Sequence, residues 1–426
     1  MILNNIDGSY ISSFFCIILD TNETIASNVR EKYGSTFTDE FIHYLQDLIL
    51  PYNIRVTLSQ LTWFLNIIDL ATQEGYLKRP FRKWDENSKV IRRQYGYSIG
   101  NNDFIDKVEY IGGIKVNQEP MSVFDENTNL FRNFNLYQYS VSINDSSKPY
   151  KLGARDLLEY IAYKIEIKHY PSNVNTAAPD LPYKSVDLLF DYYGLEHIPD
   201  DIRVCVAEFC LYNDNPIRFL VQQFLDNDDT PLRKNHIDFW HFSRFLLDST
   251  FTTTDTISES RLHKTNRRLE HLKISLEDNY SNFPEIIDWI SRINEFSKRE
   301  LRNRFIFSEI YRMDSVEFEK FIDRTIDCIG VPLVMNKKGQ YITLPSKESE
   351  AFDTDQFIHF YILQEFLAFM NTKSDFCPIE NFCHCNYQIQ CQRVVFDKKR
   401  HFKKNSGCPL LAFLDAYKLS EVKYKN

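Results

Sequence analysis

From residue 195 to residue 329 the chain runs without a glycine. Glycine supplies the positive φ that tight hairpin turns and bulges need. A long stretch without it is therefore steered away from hairpin-rich sheet and toward helices. The apolar residues agree: they recur at helical spacing over 202–211, 217–225, 239–247, 262–274, 286–310 and 316–329. Pro216, Pro231 and Pro284 fall between these runs, where they can start or stop helices. We expect an all-α domain over 196–350.

The residues before it read differently. Segments 38–50 and 58–77 have helical periodicity, with Thr38 or Asp39 placed to cap the first. Over 136–143 the pattern alternates, with Tyr137, Tyr139, Val141 and Ile143 on one face and Gln138, Ser140 and Ser142 on the other. That is a half-buried strand. Gly112-Gly113 interrupts 107–116 as a hairpin or bulge would. Residues 1–195 are thus expected to be mixed α+β. Residues 353–371 are apolar nearly all round and make a buried helix opening a C-terminal unit over 351–426. The fold class is α+β, predominantly α.

Nine cysteines are distributed unevenly. Cys16, Cys205, Cys210 and Cys328 sit singly in apolar surroundings, as small core residues do. Cys377, Cys383, Cys385, Cys391 and Cys408 crowd the end of the chain. Clustering of this kind points to metal in a reducing compartment, and we expect one structural Zn²⁺ with four of these five thiolates as ligands. Cys377, Cys383, Cys391 and Cys408 are the first choice, with Cys385 as alternate and His401 in reserve. An Fe–S cluster is the rival, disfavoured because the spacing is not a ferredoxin one. Around the thiols, 373–407 has few large apolar residues, so that span cannot build a core unaided.

Charge sharpens the picture. The chain carries −9 overall, yet residues 373–426 hold ten basic against five acidic side chains. An acidic body with a basic tail calls for an anionic partner at the tail. Lys398, Lys399, Arg400, Lys403 and Lys404 form its densest patch, inside the cysteine span. A second basic stretch covers 78–93, where Arg82, Lys83, Arg92 and Arg93 surround Trp84. It is either a strand-binding surface that neutralises phosphates and stacks bases or a solvated loop with Trp84 packed inward. His263, Arg267 and His271 share one helical face, for which a solvated basic face is the simpler reading. His236, Asp238 and His241 suit capping, not chelation.

No phosphate-binding glycine loop, dinucleotide fingerprint or nucleophile elbow is present. One enzymatic pattern remains, a Mg²⁺-dependent nuclease with Asp145 and Glu166 holding the ion and Lys168 facing the scissile phosphate. The segment around Glu166 also has helical spacing, so a solvated helix face is the expected reading. No apolar run is long enough to span a membrane, and nothing resembles a leader, which fits a cytoplasmic protein. The function expected from all this is a metal-stabilised nucleic-acid-interacting protein. The nuclease and a non-catalytic helical scaffold for a protein partner are the alternatives.

Overall fold

The computed structural model describes the chain except residues 1, 6–7, 27, 126–129, 145, 172–177, 234–236, 253–257, 281, 348–351, 353, 374–376, 380–407 and 426. Helix exceeds strand by 56% to 16%, so the fold is α+β and predominantly α. In chain order the first helices are α1 (Val29–Ile49), α2 (Pro51–Glu74), α3 (Glu86–Ser98) and α4 (Ala154–His169). The helical middle holds α5 (Ser185–Tyr192), α6 (Asp200–Cys210), α7 (Pro216–Leu220), α8 (Phe239–Leu247), α9 (Arg261–Asn279), α10 (Pro284–Glu300), α11 (Ile306–Arg312) and α12 (Ser315–Ile329). The buried helix α13 (Thr354–Met370) follows, and a final helix spans Pro409–Ala416.

Local chemistry sets many of these ends. Pro51 and Pro284 occupy first turns, where a missing N–H costs nothing. Asp85, Asp238, Ser260 and Asp314 accept from backbone N–H groups at the starts of α3, α8, α9 and α12. The 286–310 run divides into α10 and α11 for a reason of another kind. Glu208, fully buried on α6, accepts from the N–H groups of Ile306, Phe307 and Ser308 at 2.8, 3.0 and 3.1 Å. That carboxylate satisfies the orphan donors of a new helix start.

The middle also holds a short hairpin of Thr250–Thr252 with Ser258–Ser260. The largest sheet draws on both ends of the sequence. Its order is β1 (Ile2–Asn5), β2 (Gly8–Ile11), β3 (Cys16–Leu19), then Val331–Asn336 and Tyr341–Leu344. The join is parallel, with Leu333 opposite Cys16 and Asn336 opposite Leu19. The alternating segment 136–143 belongs to Leu130–Ile143, which pairs with Ile111–Asp125 along a long hairpin, and the register slips at Gly112-Gly113 as expected of a bulge.

One apolar core runs without interruption past residues 195 and 350. Trp289 of α10 is its hub. The indole Nε1 donates to Ile329 O at 2.8 Å, and the ring meets Phe15 at 4.9 Å, Phe357 at 5.3 Å and Tyr44 at 6.4 Å. Cys16, Cys205 and Cys210 lie buried in this core, whereas Cys328 is half-buried and receives Arg299 Nη2 at 3.2 Å. The chain end folds back onto the body. Phe413 packs on Phe64 at 5.4 Å, and Lys423–Lys425 pairs in parallel with Tyr76–Lys78.

A layer of buried charge separates α1 from α4. His43, Asp39, Glu40, Arg155 and Glu159 are all at most 2% exposed. Gln46 Nε2 donates to Leu158 O at 3.0 Å, which turns its carbonyl toward His43 Nδ1 at 2.8 Å. Nδ1 therefore carries a proton, and Nε2 faces Glu159 at 3.5 Å and Asp39 at 3.9 Å. Burial opposes a charge on this ring, but Glu159 and then Asp39 outweigh it, raising the imidazole to about 9.

Candidate nucleic-acid interface

The basic stretch 78–93 forms a turn leading into α3, and its aromatic residues point inward. Phe81 is 2% exposed, and Trp84 meets it at 4.5 Å and Trp63 at 6.5 Å. The rings hold an arginine: the Arg92 guanidinium lies 4.2 Å from the Trp84 ring and 4.8 Å from that of Trp63. Cation–π contact and partial burial fix this side chain. Its neighbours are spent on local pairs, Lys83 with Glu74, Lys89 with Glu86 and Arg93 with Glu119. Arg82 stays exposed. Stacking of bases on these rings, one of the two readings of this stretch, is thus unsupported, because Arg92 already occupies them.

A cavity of about 250 Å³ opens one residue away. Ile91, Gln94 and Tyr95 of α3 line one side and Arg55, Ser59 and Thr62 of α2 another, with Asp214 and Arg268 closing it. Two helices distant in sequence bring cations here, α2 with Arg55 and α9 with Arg268. Arg55 Nη2 donates to Asp214 O at 3.0 Å, and Arg268 Nη2 stands 3.5 Å from Asp214 Oδ1. Arg268 Nε is buried without an acceptor. Lys264, one turn earlier on α9, is 7% exposed in the same field. Burial favours a neutral Asp214, but Arg55, Lys264, Arg268 and Arg267 together outweigh it and hold the carboxyl far below its ordinary range. Burial and mutual repulsion push Lys264 and Arg268 down. Arg267 is neutralised separately by a bidentate pair with Glu259 at 2.8 and 2.9 Å.

Of the α9 face formed by His263, Arg267 and His271, the two histidines are exposed and Arg267 is half-buried. His263 stands 3.6 Å from Glu259. Burial and then Arg267 and Arg268 lower His271. Sequence reasoning missed Arg55, Asp214, Lys264 and Arg268. Arg268 follows Arg267 in the chain, but Arg55 carries no signal until α2 and α9 pack together.

The other candidates fare differently. Asp145 lies outside the described residues. Glu166 and Lys168 are two positions apart on α4 and diverge. Glu166 is buried and accepts from Ser35 Oγ at 2.5 Å, whereas Lys168 is exposed near the Tyr311 ring. The structure does not bring this pair together. Nor is the α4 face solvated, as the sequence had implied. Lys164 is buried between Asp187 at 2.9 Å and Asp200 at 3.0 Å, because α1, α6 and α11 all pack on α4. Asp238 caps α8 through His241 N at 3.0 Å, as expected, and His236 lies outside the described residues.

Cys377 is half-buried and Cys408 buried at the start of the final helix. Cys383, Cys385, Cys391 and His401 lie outside the described residues, as do Lys398, Lys399, Arg400, Lys403 and Lys404. Among the described residues no three His, Cys, Asp or Glu side chains are placed to hold a metal ion, and no helix is long and apolar enough to cross a membrane. No protein-family model, curated protein or solved structure matches this chain.

Proposed function

We propose that this protein binds nucleic acid through phosphate contacts at the face shared by α2, α3 and α9. The observation that carries the reading is the convergence of Arg55 and Arg268 on one cavity beside the ring-fixed Arg92. Guanidinium groups preorganised by burial and stacking suit phosphate oxygens. The net charge of −9 gives the body no general attraction for a polyanion, so binding depends on this local site. With the aromatic rings turned inward, recognition rests on the backbone and carries little base preference.

Fluorescence anisotropy with labelled single-stranded and duplex DNA and RNA tests this across a salt series. Binding is expected to fall steeply and log-linearly as salt rises, and Arg55→Gln should weaken it. Absence of binding to every substrate at low salt refutes the proposal.

The C-terminal cysteines belong to the same proposal: Cys377, Cys383, Cys391 and Cys408 hold one structural Zn²⁺, which fixes Lys398 to Lys404 as a second phosphate-facing patch. Elemental analysis should find about one zinc per chain, lost in Cys391→Ser. Protein free of zinc and iron ends that part. The cysteine clustering and acidic balance also fit a reducing, cytoplasmic setting.

A further inference from the structure

We infer that the cavity between α2, α3 and α9 reads the ribose of an RNA strand, with the Asp214 carboxylate accepting from a 2′-hydroxyl while Arg55 and Arg268 hold the adjoining phosphodiester. The inference rests on the nucleic-acid reading above and adds which nucleic acid is bound.

Two carboxylates stand among the arginines of this face and are used in opposite ways. Glu259 is buried and spent, since both its oxygens accept from Arg267, at 2.8 and 2.9 Å. Asp214 lines the cavity with its side chain 50% exposed. Its Oδ1 stands 3.7 Å from Arg55 Nε and 3.5 Å from Arg268 Nη2, beyond a direct N–H···O bond. Among the described residues no donor makes a hydrogen bond to this carboxylate. A carboxylate serving only to neutralise arginines would take the paired geometry of Glu259. Asp214 instead keeps its capacity to accept, at the wall of a cavity that a ligand can enter.

Charge and size agree. Of the side chains lining the cavity, Arg55 and Arg268 carry two positive charges and Asp214 one negative. One positive charge remains, the complement of a single internal phosphodiester. Partial burial opposes the charge on Asp214, but Arg55 and then the basic residues of α9 outweigh it, so the carboxylate stays ionised and only accepts. Beside a bound phosphate such a group repels, and a DNA strand offers no sugar hydroxyl along the chain in return. RNA offers the 2′-hydroxyl, the group that separates the two nucleic acids. The Ser59 and Thr62 hydroxyls do not compete for Asp214, since they donate to Arg55 O at 2.8 Å and Leu58 O at 2.9 Å. The volume of about 250 Å³ falls below the about 300 Å³ at which pockets begin to enclose drug-sized ligands. That suits one sugar–phosphate unit, with Leu58 and Ile91 as the apolar wall for the sugar carbons.

The test compares one unstructured sequence as RNA, as DNA and as 2′-fluoro RNA, which keeps the sugar pucker of RNA without the donor, by anisotropy on the full chain at low salt. RNA should bind about tenfold tighter than either of the others. Asp214→Ala should erase that advantage while DNA binds at least as tightly as to wild type, because a repelling charge is gone, a result that misfolding cannot imitate. The comparison on wild type decides the matter even where the variant does not fold. Equal affinity for RNA and DNA overturns the inference and leaves the nucleic-acid reading standing. The inference falls in the same way if 2′-fluoro RNA binds as RNA does, or if the RNA advantage survives Asp214→Ala. Absence of binding to every strand ends both.

Discussion

Replacing His43 by glutamine should weaken the fold in a pH-dependent way that reveals the charge on the ring. In the unfolded chain a histidine titrates near 6.5, and between α1 and α4 this one is raised to about 9. At 1.36 kcal/mol per pH unit the difference amounts to about 3 kcal/mol. The sign follows from the direction. A group that holds its proton more tightly when folded contributes fully below its unfolded value, so the contribution is present below pH 6.5 and is lost as the pH rises through 9. Urea unfolding, followed by tryptophan fluorescence in wild type and His43→Gln, reads it out. The gap between the two proteins should be about 3 kcal/mol at about pH 6.5 and should shrink below about 1 kcal/mol by about pH 9.5. Asp156 and Glu208, pushed up by burial to about 7 and about 8, titrate in both proteins and cancel in the comparison. A gap that stays constant across this range refutes an imidazolium in the folded protein.

Glu208→Ala should cost about 3 kcal/mol or more in the same assay, because three buried N–H groups at the start of α11 lose their acceptor together. Preservation of wild-type stability would show that α11 starts without that carboxylate. Gly153→Ala should be disruptive, since a Cβ there would sit 2.0 Å from the backbone of Ile99 and Gly100. Overpacking of backbone on backbone is expected to cost about 3 kcal/mol or more, and a soluble variant with unchanged melting temperature would contradict it. Trp289→Phe keeps most of the packing but removes the donor to Ile329 O, and a loss of about 1–3 kcal/mol is expected on thermal or urea unfolding.

Elements whose cause is local were readable in the chain. The helix over 239–247 is found as Phe239–Leu247, with Asp238 as its cap. The strand face of Tyr139, Val141 and Ile143 is buried as alternation required, and the bulge sits at Gly112-Gly113. Causes acting across the sequence were not readable. The run 286–310 has one unbroken periodicity, and it divides because Glu208, far upstream, caps a second helix inside it. Helix α1 begins at Val29, well before the periodic segment at 38–50, and bends at Tyr33, where φ is −123°. The candidate site shows the same limit. The stretch 78–93 announced itself by charge, but the structure turns its rings onto Arg92 and pairs Lys83, Lys89 and Arg93 with nearby carboxylates. The convergence at the cavity, Arg55 with Arg268, comes from basic residues on two helices that look ordinary one at a time.

The parallel pairing of Cys16–Leu19 with Val331–Asn336 has a bearing on how the molecule is made. A ribosome releases the chain from its first residue onward, so the opening hairpin emerges with one side of β3 unsatisfied and waits for a partner more than three hundred residues away. At about 5–20 residues per second that wait is on the order of 15–60 s. Throughout it, Phe14, Phe15 and Ile17, all buried in the finished protein, have no Trp289 or Phe360 to cover them. Nascent chains of this protein should therefore be clients of chaperones until residue 331 emerges, and truncation before that residue should yield aggregates rather than a smaller folded body.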